Sequence, residues 1–412
     1  MASGLEIQNY NWGGYDFSKL DIQVLDTSLR DGLQGGNIKH PNRERKAELL
    51  SKMIKSGVDA IDIAIPIARR RHLREAKELV KLIPANIRIT CLARTQEQDI
   101  KAALELAESA GRPIETIIFC GASQVRMWVE GWNVDQLRDW MSQSVSLATR
   151  EGLIANVATE HTTQADPEAI KEIYKAGLDA GGKMVCIADT SGAADPLSTS
   201  NLVHFFREEV IPGYGDIPID WHGHNDRGLA VANSLAAIQS GASRIHTTML
   251  GIGERAGNTP FEQVMVNLKI AGDPKRGDIS AITEVSKFSA KIFGRSIPVN
   301  SPVIGEGIFT TGSGIHAAAE LKARELSLSG MTPYSIIHPG WIGRETDVVV
   351  GPLSGAANVI WVTRRLGLEY SEALETRLLD IAQRTNDVLT DEQVVNIAHD
   401  LVQNNGGING GK

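Results

Sequence analysis

The chain has 412 residues, 42% hydrophobic and 22% charged, the balance of an ordinary soluble protein long enough for more than one folding unit. A formal net charge of −8 argues against nucleic acid as the default partner. No apolar run approaches the length needed to cross a bilayer, so a membrane is not an expected partner either.

Short apolar runs then follow one another at regular intervals. They are Ile22 to Leu25, Ala60 to Ile65, Ile87 to Leu92, Thr116 to Cys120, Leu153 to Ala158, Lys183 to Ala188, Ile217 to His222 and Ser243 to Leu250. Between them lie segments with helical spacing: Arg43 to Ser56, Asp99 to Ala110, Pro167 to Ala176 and Gly228 to Ser240. Asp166 with Pro167 reads as a helix start, and Gly177 as the left-handed residue that ends that helix. Eight strand–helix units in roughly 250 residues predict an α/β fold, a (β/α)8 TIM barrel. An open doubly wound sheet is the alternative, but its first turn is usually glycine-rich, and Ser28-Leu29-Arg30-Asp31-Gly32 is charged.

The expected barrel spans residues 20–290. Residues 291–345 read as a linker and first subdomain, 346–403 as a second, helical subdomain, and 404–412 as a disordered tail. The C-terminal region is expected to be mostly helical. Cys91, Cys120 and Cys186 sit in or at the ends of strand-like runs without a C-x-x-C pair, as buried reduced thiols do. Met1 to Glu6 lacks the apolar core of a signal peptide, and the expected location is the cytoplasm. The basic run Ala68 to Arg74 reads as a solvated helix start or as a phosphate-binding patch.

In a barrel of this kind, chemistry belongs where strands end. His222 and His224 are two apart at the end of the seventh run, so both imidazoles face one side. With Asp31 after the first run they offer two nitrogens and a carboxylate to a divalent ion, leaving coordination positions open. Asn258 supplies an amide oxygen or orients a bound water. Two histidines and one carboxylate also suit non-haem iron, although usually on other folds. Arg30 either binds a carboxylate or stabilises a developing alkoxide, or it forms a structural ion pair. Thr190 after the sixth run is a hydrogen-bond donor to a substrate or a helix cap; Glu160 after the fifth orients water or is a plain helix-start acid. Gly251 to Asn258 is a tight glycine-punctuated turn rather than a nucleotide fingerprint.

Three separated stretches, Leu25 to Gly32, His222 to Asn233 and Gly251 to Asn258, resemble the DRE-TIM metallolyase superfamily. Within it they are similar to the Claisen-condensing branch of isopropylmalate, homocitrate, citramalate and related alkylmalate synthases, as are Ser313 to His316 and Pro333-Tyr334. The resemblance implies a divalent metal (Mg, Mn, Zn or Co) on Asp31, His222 and His224 with Asn258 nearby. It implies that Arg30 and Thr190 contact a 2-oxo acid, that Glu160 lies close to it, and that acetyl-CoA is the co-substrate. It also implies a homodimer with exchanged C-terminal segments, in which His316 and Tyr334 reach the partner's active site. The expected activity is condensation of acetyl-CoA with a 2-oxo acid to a 2-alkylmalate or 2-arylalkylmalate and CoA. His316 with Tyr334 is the expected base.

Hydroxymethylglutaryl-CoA lyase shares the Arg30-Asp31-Gly32-Leu33-Gln34 wording, which adds Gln34 to the substrate contacts. That lyase carries a cysteine in its glycine loop and Gly251 to Asn258 has none, so condensation is favoured over lyase-like cleavage. Isopropylmalate synthases usually have His where Ile117 stands and Pro-Ile-His where Gln124-Val125-Arg126 stands. Ile117, Leu92, Ile65 and Ala64 therefore suggest an apolar side-chain pocket. Arg94 or Arg126 as a cation keeps homocitrate synthase open, and citramalate synthase stays beside it. A catalytically silent acyl-CoA or metal-binding barrel is the alternative of a different class. The chain leaves no room for a large leucine-binding domain, and feedback through one is not expected.

Overall fold

The computed structural model describes residues 14–68, 70–326 and 332–406. The N-terminal stretch read for a signal peptide, Arg69 of the basic run and tail residues 407–412 lie outside them. The chain divides into two compact units, one ending at Ser296 and the other beginning at Ile297.

The first unit is a closed parallel barrel of eight strands in sequence order. The strands are β1 (Gln23–Asp26), β2 (Ala60–Asp62), β3 (Arg88–Arg94), β4 (Glu115–Gly121), β5 (Ile154–Glu160), β6 (Met184–Asp189), β7 (Ile219–Gly223) and β8 (Arg244–Thr247). β8 closes on β1 with Leu25 opposite His246. Inward positions stack across the barrel: Leu25, Ala60, Ile117, Ala158 and Cys186 form one apolar cluster. Beneath it a buried charge system takes over. Arg244 donates to Asp220 at 2.6 Å and to Glu115 at 2.5 Å, so each buried charge has its counter-charge.

Three local expectations are corrected. Gly177 does not end its helix, which runs Pro167–Asp179; Gly181, at φ +104°, makes the turn instead. A Cβ at Gly177 would stand 2.7 Å from Val157 Cγ2, so the glycine lets helix and strand approach. β8 stops at Thr247: Thr248 leaves the barrel to bridge Pro260, giving its N–H to the Thr259 carbonyl, and Leu250 then turns at a left-handed φ of 62°. The last helix, Asp391–Gly406, runs three residues into the stretch expected to be disordered. All three cysteines are buried free thiols.

The second unit contains the helices Gly314–Glu325, Ala356–Leu366, Glu372–Thr385 and Asp391–Gly406. Val359, Val362, Leu374, Leu378 and Val394 form its core, each from the apolar face of its helix. No helix among the described residues is long and apolar enough to cross a membrane.

Candidate active site

The C-terminal ends of the strands carry the polar groups. Asp31 lies in the turn after β1; His222 is in β7 and His224 just beyond it. His222 Nε2 is 3.3 Å from Asp31 Oδ2 and 3.3 Å from His224 Nε2. Donor atoms of all three lie within 4.8 Å of one another, and all three residues are buried.

Burial would raise the Asp31 carboxyl, but Arg30 and the His222 contact hold it well below the usual range, so it is ionised. Burial lowers both imidazoles, His224 to about 4, so both are neutral with a lone pair to give. An ionised carboxylate and two neutral imidazoles form a donor set that fits a divalent cation. Both Nδ1 atoms are buried with no partner among the described residues, leaving the Nε2 atoms to face one another and the carboxylate.

Asn258 reaches this cluster as a donor. Its Nδ2 gives to Asp31 Oδ1 at 3.1 Å and to the Ile252 carbonyl at 3.0 Å, so it orients the carboxylate. The glycine loop makes this possible. A Cβ at Gly253 would overlap Asn258 Nδ2, and one at Gly257 would overlap the Gly251 carbonyl.

Arg30 binds Asp31 through Nη1 at 2.7 Å and Asp62 through Nε at 2.6 Å. Asp62, at the end of β2, escaped the sequence reading. Its only signal is its place two residues after Ala60, which turns it inward. Burial raises its carboxyl while Arg30 opposes that rise. His246 is a second addition: it lies on the cavity wall, its Nε2 3.0 Å from Asp220.

A cavity of about 200 Å³ surrounds the cluster. Arg30, Gln34, Glu160 and Thr190 line it, as do Ile65, Leu92 and Ile117. The Thr190 hydroxyl accepts from the His161 backbone at 2.7 Å, and Asp195, not Thr190, caps the next helix. Glu160 Oε1 takes Arg126 Nε at 2.7 Å. Ala64 faces a neighbouring cavity, and Arg94 faces another, where Asp99 holds its Nε and Nη2 at 2.9 and 3.0 Å. In the second unit, the His316 and Tyr334 rings lie with centroids 4.0 Å apart and planes tilted by 38°, both exposed.

A closed parallel barrel with an Asp–His–His cluster at its C-terminal rim, faced by a buried arginine, defines a TIM-barrel protein with a candidate cation site. Residues 21–288 match the HMGL-like family model, and the chain belongs to that family, in the Claisen-condensing branch of the DRE-TIM superfamily. It is 30% identical over 369 residues to a probable 2-isopropylmalate synthase of Methanopyrus kandleri, covering 89% of this chain and 70% of that protein. It is 30% identical over 391 residues to homocitrate synthase AksA of the same organism, covering 94% of each. The crystal structure of hydroxymethylglutaryl-CoA lyase from Pseudomonas aeruginosa shares the fold, with a TM-score of 0.57 and 19% identity over 67% of this chain and 94% of that one.

Proposed function

We propose that this protein is an acyltransferase that condenses acetyl-CoA with a monocarboxylic 2-oxo acid, giving a 2-alkylmalate or 2-arylalkylmalate and free CoA. The observation that carries the reading is the Asp31–His222–His224 donor set opening, beside Arg30, into a cavity with the apolar side chains Leu92 and Ile117. Asp31, His222 and His224 would hold a divalent ion, which supplies Lewis-acid and template chemistry to the acid's carboxylate and keto oxygen.

Arg30 is fixed by two carboxylates and stays charged, so it offers a preorganised partner to the alkoxide formed at the keto carbon. Thr190 and Gln34 bind the acid's polar head. A base removes a proton from the acetyl methyl group. The new carbon–carbon bond forms to the keto carbon, whose oxygen takes a proton. Water then cleaves the thioester and the thiol leaves. Glu160, held by Arg126, orients that water. His316 and Tyr334 of a second copy serve as the base in a homodimer with exchanged C-terminal segments. The protein works in the cytoplasm.

Two further cavities support a path for the CoA arm. One of about 170 Å³ shares Arg30, Gln34 and Ile65 with the first. It opens past Lys46 and His72 into a groove of about 740 Å³ at the helix Arg70–Leu79. Arg71 and Arg74 line that groove and make no ion pair among the described residues.

The test is thiol release from acetyl-CoA with a panel of 2-oxo acids and a divalent metal. Release with an apolar monocarboxylic acid is expected. Metal uptake without release for any acid would turn the reading towards a lyase or a binding protein.

A further inference from the structure

We propose that the 2-oxo acid carries a planar aromatic side chain, received by Phe119, Trp132 and Trp140. This rests on the acyltransferase reading and names the substrate class within it.

Volume is the first argument. The cavity at the Asp31–His222–His224 cluster, about 200 Å³, is smaller than the ~300–1,000 Å³ of ordinary ligand pockets. The acid's head and the acetyl group must share it, which leaves no room for a bulky tail. A second cavity of about 500 Å³ adjoins the first, and Phe119 and Glu160 belong to the walls of both. The first cavity also carries Leu92, Ile117, Ala158 and Cys186, and at the shared wall Phe119 stands beside the Glu160–Arg126 pair.

Shape and charge then select the tail. Trp132 and Trp140 meet edge to face, with centroids 5.6 Å apart and planes at 89°, and both line the second cavity. Such a corner presents a ring face and a ring edge to a third aromatic ring. A second carboxylate finds nothing comparable. Arg94 is clamped by Asp99. Arg126 is held by Glu160 at 2.7 Å and Glu130 at 2.5 Å, and its guanidinium lies 5.4 Å from the Trp132 ring centroid. Both cations are already neutralised, and a dicarboxylic acid would bring its distal charge towards Glu160 and Glu130. Gly121 contributes by its size: a Cβ there would stand 2.5 Å from Arg126 Cγ and 2.7 Å from Glu160 Oε1. Its absence lets the Arg126–Glu160 pair lie against the end of β4. A small branched aliphatic acid would leave the aromatic cavity to water.

The experiment measures kcat/KM for phenylpyruvate, 2-oxoisovalerate and 2-oxoglutarate by thiol release. Calorimetry with the metal-loaded enzyme in the absence of acetyl-CoA gives the matching affinities. The expected result is at least a tenfold preference for phenylpyruvate in both assays. In Trp132→Leu that preference falls at least tenfold, mainly through KM. A wild-type preference for either other acid overturns the inference, as does a ratio unmoved in a Trp132→Leu protein that melts like wild type. If Trp132→Leu does not fold, Trp140→Leu makes the same test. If no acid releases thiol, the acyltransferase reading fails by itself, and the calorimetric preference still decides the aromatic one.

Discussion

Arg30 Nε lies 2.6 Å from Asp62 Oδ2, and the same guanidinium reaches Asp31 Oδ2 at 2.7 Å. One cation thus ties the end of β2 to the candidate metal carboxylate. Asp62 Oδ1 is buried with no hydrogen-bond partner among the described residues, so the side chain's hydrogen bonding there goes through Oδ2 to Arg30.

Asp62→Asn should free the guanidinium on one side while leaving Asp31 in place. The expected effect is a fall in kcat of about ten- to a hundredfold, the scale of a lost or misaligned charge-stabilising donor. Metal content after dialysis should stay at the wild-type level. Loss of metal together with activity would assign Asp62 to holding Asp31 rather than to aiming Arg30.

The cluster itself makes a sharper demand. Dialysis against a chelator should abolish thiol release, and Mg, Mn, Zn or Co should restore it to differing extents. His224→Ala removes one of three donors and should weaken metal affinity by at least about a hundredfold. Asn258→Ala removes the amide that orients Asp31 and bonds the Ile252 carbonyl but no metal-donor carboxylate or imidazole, so a loss of about tenfold is expected. Elemental analysis after dialysis checks both. Equal metal content in wild type and His224→Ala would remove the donor set from the account.

Much of this arrangement was legible in the chain. A strand's period of two placed His222 and His224 on one face, and the eight apolar runs announced the barrel. Asp31 was visible because it follows an apolar run. Asp62 was not, because the run continues through Ile63, Ala64 and Ile65 and hides the point where the strand stops. The Arg94–Asp99 clamp was equally hidden. It spans the turn between β3 and the next helix, and no helical or strand spacing brings residues five apart together there. Asn258 was placed near the cluster from sequence, but whether it gives its oxygen or its NH2 depends on a carboxylate 227 residues away.

The basic run at the helix Arg70–Leu79 gives a prediction about the co-substrate. Arg71 and Arg74 have no carboxylate partner among the described residues, whereas Lys46 is paired with Glu75 at 3.0 Å. Unpaired arginines beside a groove suit phosphates. The double variant Arg71→Ala, Arg74→Ala should raise KM for acetyl-CoA about tenfold and leave KM for the oxo acid unchanged. Its rate should also lose much of its salt dependence. An unchanged acetyl-CoA KM would mean that the run is only a solvated helix start.

Asp26 closes β1 and carries a prediction about stability. Burial pushes its carboxyl up to about 7 from an ordinary 3.8, against the lowering effect of the Ser28 backbone and hydroxyl; Asp62 and Glu262 push it further up. Glu262, also fully buried, is raised to about 7 as well. The folded protein therefore holds protons that the unfolded chain has already released between about pH 4 and pH 7. The contribution of these two carboxyls to stability is thus greatest below the window, falls as pH rises through it, and levels off above it, while the lowered His222, His224 and His246 act in the opposite direction. Asp26→Asn keeps the size and the acceptor for the Ser28 backbone N–H but cannot ionise. Relative to the wild type, Asp26→Asn should therefore gain melting temperature between pH 5 and pH 8, by about 3 °C or more, with the gain appearing at pH 8. Thermal melts of both proteins across that range check it. Parallel curves would mean that Asp26 is ionised in the folded state throughout, and that the hydrogen bonds from Ser28 outweigh burial.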